Sequence, residues 1–163
     1  MKVRSKNGKA ALAADNRPFR AQPAIAPHSL ERRQVAALPF RRAVDGGVEI
    51  LLVTSRETKR FIIPKGWPMR RLADADAAAQ EAGEEAGVVG KVKRKPIGNY
   101  VYWKRLDRSF ELLRVEVFAL EVFERRAKWK EKGARECCWL PPDKAWLLID
   151  EPGLAEIVRT FSP

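Results

Sequence analysis

Residues 66–88, GWPMRRLADADAAAQEAGEEAGV, decide how the rest of the chain is read. Asp74 stands where an N-cap is wanted, residues 75–86 are mostly strong helix formers, and Gly87 sits at the position that favours a left-handed backbone. The spacing predicts a helix of about three turns. At roughly 100° per residue, Ala75, Ala79, Ala82 and Ala86 fall on a narrow arc, with Glu81, Glu84 and Glu85 on an arc nearly opposite. Like charges so spaced cost a helix a few tenths of a kcal/mol per pair unless a cation compensates. No Lys or Arg lies between Leu72 and Gly90, although the chain carries a net charge of +11. One reading is a solvated acidic face. The other is a set of hard oxygen ligands on a rigid helix, which suits Mg²⁺ or Mn²⁺ together with substrate phosphate oxygens.

Composition narrows the field. With 163 residues, 45% of them hydrophobic, the chain can bury one sizeable core, and it reads as a single domain over residues 32–163 preceded by an arm over residues 1–31. No apolar run approaches the roughly 18–20 residues of a membrane span, so no membrane partner is expected. A lone histidine, His28, excludes a His-dependent triad and a multi-His zinc site, leaving carboxylates, lysines or a metal to supply the chemistry. Cys137 and Cys138 are adjacent and make a poor disulfide framework, which fits a reduced, cytoplasmic compartment. Residues 1–33 hold eight Lys or Arg against Asp15 and Glu31, so they supply +6 of the +11. Such an arm, interrupted by Pro18, Pro23 and Pro27, suits a flexible tail, a transit peptide or non-specific nucleic-acid contact. Nothing in the sequence fixes an oligomeric state.

Around the acidic helix, short apolar runs alternate with turn signals. Residues 35–40 and 48–54 are β-prone and joined across Asp45-Gly46-Gly47, a hairpin turn. A short strand at residues 61–63 leads into Pro64-Lys65-Gly66, so strand, glycine loop and acidic helix follow in the order a metal-diphosphate site needs. Residues 97–105 and 110–123 read as long strands, the second with one wet face at Arg114 and Glu116 and burial on both faces at residues 117–120. A polar loop at 125–136, a short buried strand at 137–140, a short helix to Ile149 and a last helix over 153–161 complete an α/β unit.

The stretch at 66–88 resembles the Nudix hydrolase box: Gly66, Glu81, Ala82, Glu84, Glu85, Gly87 and Val88 fall on that pattern with its spacing. Leu72 and Gln80 depart from it, standing where the family usually has Glu and Arg, two residues linked there by a structural ion pair; they read as a neutral replacement. The resemblance covers about residues 34–161 and implies an α/β/α sandwich with a mixed β-sheet. It further implies that Glu81, Glu84 and Glu85 bind metal with the backbone carbonyl of Lys65, and that Glu84 or Glu85 does catalytic work.

Many members of the family also use a glutamate from a downstream loop. Glu131 fits that place, against a plain reading as a loop glutamate paired with Lys130 or Lys132; Glu111 and Glu116 are weaker candidates. Residues 32–37, 52–56 and 129–133 resemble the diphosphoinositol polyphosphate phosphohydrolase branch, which makes Arg33, Ser55, Arg56 and Lys65 the candidate substrate contacts. Trp67 would stack on a base, cover the metal, or pack its loop down. The expected activity is metal-dependent cleavage of a diphosphate linkage in a highly phosphorylated small molecule, either a diphosphoinositol polyphosphate or a dinucleoside polyphosphate. The alternatives are a pyrophosphohydrolase of RNA 5′ ends or nucleoside triphosphates, with the basic arm on nucleic acid, and a non-catalytic nucleotide-binding module.

Overall fold

The computed structural model describes residues 32–163, and the arm assigned to residues 1–31, His28 included, lies outside the described residues. The central strand is β1 (Arg33–Arg42), whose run Val35–Phe40 is buried on both faces. It pairs in parallel with β7 (Phe110–Arg125), Val35 opposite Glu116 and Ala37 opposite Phe118. On its other edge it pairs antiparallel first with β4 (Lys65–Gly66) and then with β2 (Val48–Thr54). Pro39, a poor central-strand residue, falls between those two ladders, beyond the bond that Ala37 N–H donates to the Pro64 carbonyl at 3.0 Å. Its missing N–H therefore costs no ladder bond.

β3 (Phe61–Ile62) and β8 (Cys137–Leu140) pair with β2, while β5 (Val88–Val92) and β6 (Gly98–Arg105) pair with β7. The sheet is mixed, and its two faces carry separate cores. Val35, Ala37, Leu51, Val53, Phe118 and Leu120 pack under α1 (Asp74–Ala86). Ala36, Leu38, Ile50, Leu52, Val115 and Val117 pack under α2 (Pro142–Ala145), a 3₁₀ turn at Trp146–Leu148 and α3 (Pro152–Arg159), through Leu154 and Val158. Odd and even residues of β1 thus face opposite layers, as a period of two requires. The result is the expected α/β/α sandwich.

Several expectations shift in detail. Ala73, not Asp74, is the N-cap of α1; the Asp74 carboxylate instead accepts bonds from Arg33 at 2.6 and 3.3 Å. Ala77 and Ala78 are buried where Ala79 is only half-buried. β4 and β5 are additional strands; Val88-Val89-Gly90-Lys91-Val92 carries a strand signal that the strongly patterned helix before it overshadows. β8 is half-buried rather than buried, and the helix expected to run to Ile149 breaks into α2 and the 3₁₀ turn.

Gly87 ends α1 at φ 72°, and a Cβ there would lie 2.5 Å from the Trp129 ring. Gly83, inside the helix, meets nothing closer than the Val88 carbonyl at 3.6 Å. The two glycines therefore respond to alanine with opposite signs. Gly87→Ala should cost about 1–3 kcal/mol through left-handed strain and displacement of Trp129. Gly83→Ala should gain about 0.5–1 kcal/mol from helix propensity. Urea midpoints at constant m-value measure both.

Candidate active site

Short backbone constraints position the acidic helix. β4 holds Lys65 and Gly66 against β1, and the Glu81 carboxylate rests on Gly66 so closely that a Cβ at that residue would fall 2.1 Å from Glu81 Oε1. Only glycine lets the carboxylate approach the loop backbone in this way. Burial raises the Glu81 pKa, with Glu84 adding to the rise. Glu85 lies at the edge of the buried face, with a side chain 8% exposed, and not on the solvent side of α1. Burial pushes its pKa up to about 7, outweighing the opposing pull of Arg135 and Lys65. Its Oε2 is buried without a hydrogen-bond partner.

The bases missing from α1 arrive from the loop between β7 and β8. Lys130 bonds Glu84, which also accepts from Gln80 Nε2 at 3.0 Å, and these two bonds hold the Glu84 pKa down. Arg135, 8% exposed, donates to Glu85 Oε1 at 2.6 Å, to Glu131 Oε2 at 2.6 Å and to the Thr54 carbonyl at 2.9 Å. The loop is clamped to the helix C-terminus: Trp129 packs on Gly87, Glu131 N–H donates to the Glu84 carbonyl at 3.0 Å, and Arg126 N–H donates to the Gly87 carbonyl at 2.8 Å. Glu131 is thereby delivered to the site, and its partners are Arg135 and, at 3.9 Å, Arg56, rather than Lys130 or Lys132.

Beside these carboxylates opens a cavity of about 320 Å³ whose lining includes Ser55, Arg56, Arg60, Lys65, Lys104 and Arg135. Six bases face it, with Arg105 the sixth, against one acid, Glu57. A second cavity, of about 400 Å³ between α1 and β5, carries one base, Arg126, and one acid, Glu84, and has no comparable charge. Burial lowers the Lys65 pKa, so that amine is desolvated and receptive to an anion. Ser55 Oγ is 2.6 Å from Thr58 Oγ1 and accepts from Arg60 N–H at 3.2 Å, which shapes the turn at residues 55–60.

Of the sequence candidates, Glu81, Glu84, Glu85, Glu131, Lys65, Ser55 and Arg56 gather around the α1 face and this cavity. Arg33 does not line it: it pairs with Asp74 and lies 3.6 Å from Glu116, and the Asp74 bond raises its pKa. Glu111 pairs with Arg32. Trp67 is 37% exposed, its ring engaged by Arg32 at 4.5 Å and Lys104 at 5.1 Å. Leu72 is 42% exposed and Gln80 is exposed and turned to Glu84, so the two are not a buried brace. Arg60, Lys104, Arg105 and Arg135 escaped sequence reading because each is one base among 32 in a basic chain. Only the placement of Arg135 two residues before a predicted strand hinted at a fixed position.

Among the described residues, no three acidic, His or Cys side chains stand grouped as a ready metal site. The donor chemistry nonetheless suits a hard divalent cation. Glu81 is held against the loop backbone, Glu85 presents an unpartnered buried oxygen, and all the donors are oxygens.

Gly66→Ala tests the cradle directly. The added methyl meets the far end of a flexible side chain, so Tm should move by no more than about 3 °C, while the stabilisation of the protein by added Mn²⁺ should fall away. An unchanged Mn²⁺-induced Tm shift would show that Glu81 needs no approach to the loop.

The chain matches no family-wide sequence profile. It is 30% identical over 121 residues to Nudix hydrolase 18, mitochondrial, of Arabidopsis thaliana, covering 70% of this chain and 66% of that protein. It is 28% identical over 141 residues to Nudix hydrolase 4 of the same plant, covering 82% and 67%. The chain thus spans about two thirds of the length of these relatives. Among solved structures, the fold is similar to the Ap4A hydrolase of C. elegans, with a TM-score of 0.56 at 14% identity, covering 78% of this chain and 92% of that one. It is also similar to the Nudix domain of Shewanella oneidensis NrtR complexed with ADP ribose, with a TM-score of 0.59 at 14% identity, covering 81% and 88%. With the carboxylates of residues 81–85 on one helix against a glycine loop, in a sheet of this topology, the chain belongs to the Nudix hydrolase family.

Proposed function

We propose that this protein is a divalent-metal-dependent hydrolase that cleaves a diphosphate linkage in a highly phosphorylated small molecule, a diphosphoinositol polyphosphate or a dinucleoside polyphosphate. The observation that carries the reading is the basic cavity beside Glu85 and Glu131: of its six Lys or Arg, Arg135 is committed to those two acids, Arg60 pairs with Glu151 and Arg56 lies 3.9 Å from Glu131, while Lys65, Lys104 and Arg105 add further positive charge against one lining acid, Glu57. A ligand that gathers so many cations is itself densely anionic. One structural neighbour is an Ap4A hydrolase and another is complexed with ADP ribose, and both compounds carry a phosphoanhydride linkage.

In this reading Glu81, Glu84 and Glu85, with the Lys65 carbonyl, would hold Mg²⁺ or Mn²⁺. When bound, the ion supplies charge neutralisation at the phosphate oxygens and acidifies a water. Glu131, held by the clamped loop, would orient or deprotonate that water, a role that Glu84 or Glu85 would share. Arg56 and Lys65 receive phosphate groups, joined by Arg60, Lys104 and Arg105; Ser55 shapes the rim. The exposed ring of Trp67 and its two cations would suit a nucleobase, which favours the dinucleoside substrate over the inositol one.

A panel of diphosphoinositol, dinucleoside and nucleoside polyphosphates and 5′-triphosphate RNA, with phosphate and diphosphate release measured in Mg²⁺, tests the reading. Glu85→Gln and Glu84→Gln should each lower kcat by on the order of 10² or more with the fold intact. Near-normal turnover in both would overturn it. Arg56→Ala should raise KM roughly tenfold, the loss of about one charge-assisted hydrogen bond, while deleting residues 1–31 should leave kcat/KM within about threefold. A large, salt-sensitive defect confined to the deletion would point to RNA instead.

A further inference from the structure

We propose that Arg135 is a built-in counter-cation of this site, which keeps Glu85 and Glu131 assembled when no metal is bound and weakens the binding of a divalent ion by competing for the same carboxylates. The inference rests on the metal-dependent reading above and adds a role for a residue that reading leaves without one.

Three of its donor groups are committed. Nε and Nη2 each reach a different carboxylate at 2.6 Å, and Nη1 reaches the Thr54 carbonyl at 2.9 Å. The backbone around it is equally fixed: Thr54 N–H donates to the Glu136 carbonyl at 3.0 Å, and Glu136 N–H donates to Thr54 Oγ1 at 3.0 Å. A planar, permanently charged guanidinium locked between two acids does what a bridging metal would do, drawing like charges together in a site with little water. A side chain 8% exposed is not placed there for solubility.

The compensation is incomplete. Glu81, Glu84, Glu85 and Glu131 bring four formal negative charges, and the paired cations Arg135, Lys130 and, at 3.9 Å, Arg56 return three, so the cluster stays net negative. Glu85 Oε2 is the buried oxygen that Arg135 leaves unpartnered. The fixed positive charge beside it opposes the approach of any second cation, and Glu131 is held by Arg135 rather than open to the ion. Removing the guanidinium should therefore destabilise the metal-free protein and at the same time tighten metal binding, a combination that a merely structural arginine does not give.

The experiment is a Mn²⁺ titration, without substrate, of the full chain and of Arg135→Gln, followed by calorimetry and by the loss of the free-Mn²⁺ electron spin resonance signal, with melting curves in chelator and in saturating Mn²⁺. The variant should bind Mn²⁺ about tenfold tighter. It should melt on the order of 10 °C lower in chelator, and most of that deficit should disappear in Mn²⁺. Should Arg135→Gln fail to fold, Arg135→Lys decides: it keeps the charge but cannot span both carboxylates, so Mn²⁺ should still bind about threefold tighter than to the native chain. Equal or weaker Mn²⁺ affinity in the folded variant overturns the proposal while leaving the metal reading standing. No Mn²⁺ binding by the native chain overturns both.

Discussion

An acidic helix with no base of its own must be neutralised from elsewhere in the chain, and much of this structure follows from that constraint. Between Leu72 and Gly90 the sequence supplies only negative charge, and the cations that answer it come from β1, from the turn after β5, and above all from the loop before β8. These long-range pairs tie α1 to β1, to the turn after β5 and to the loop before β8. The exposed ones, such as Arg94 with Asp76, contribute little individually. The pair of Arg135 with Glu85 is different, because both side chains are nearly out of water and neither tolerates loss of the other.

Close backbone approaches complete the placement. Glycine at 66 admits the Glu81 carboxylate to the loop, and glycine at 87 both ends the helix and admits the Trp129 ring. The first fixes the near end of the carboxylate row and the second anchors the loop that brings Lys130, Glu131 and Arg135. The indole Nε1 of Trp129 is buried without a partner, while Arg125 and Lys132 stand 4.9 and 5.2 Å from its ring. Burying an indole N–H unpaired costs free energy, so the packing of that ring against the helix end must outweigh it.

The fold was largely legible in the sequence, because the elements that matter are strongly patterned: a hairpin across two glycines, a two-faced β7, and a helix closed by Gly87. What was not legible has a common physical origin. Among the bases of the cavity, Arg60 precedes β3 while Lys104 and Arg105 end β6, and their convergence is a property of the sheet topology rather than of any local pattern. The burial of Glu85 does not show in a division of the helix into an alanine side and a glutamate side, because residue 85 sits on the border between them. Asp74 has the residue type of a helix cap, but a guanidinium from β1, close enough to bond both of its oxygens, engages the carboxylate instead.

The parallel ladder between β1 and β7 joins residues 33–40 to residues 114–121. Closing so long a loop is entropically demanding, and topologies dominated by such contacts fold on the slower side for their size. Until residues 126–136 have docked, α1 has nothing to offset its row of carboxylates, and its alanines have only the sheet to hold them. The carboxylate row of α1 therefore holds its arrangement only together with that loop, and any local opening of residues 126–136 would loosen the helix with it.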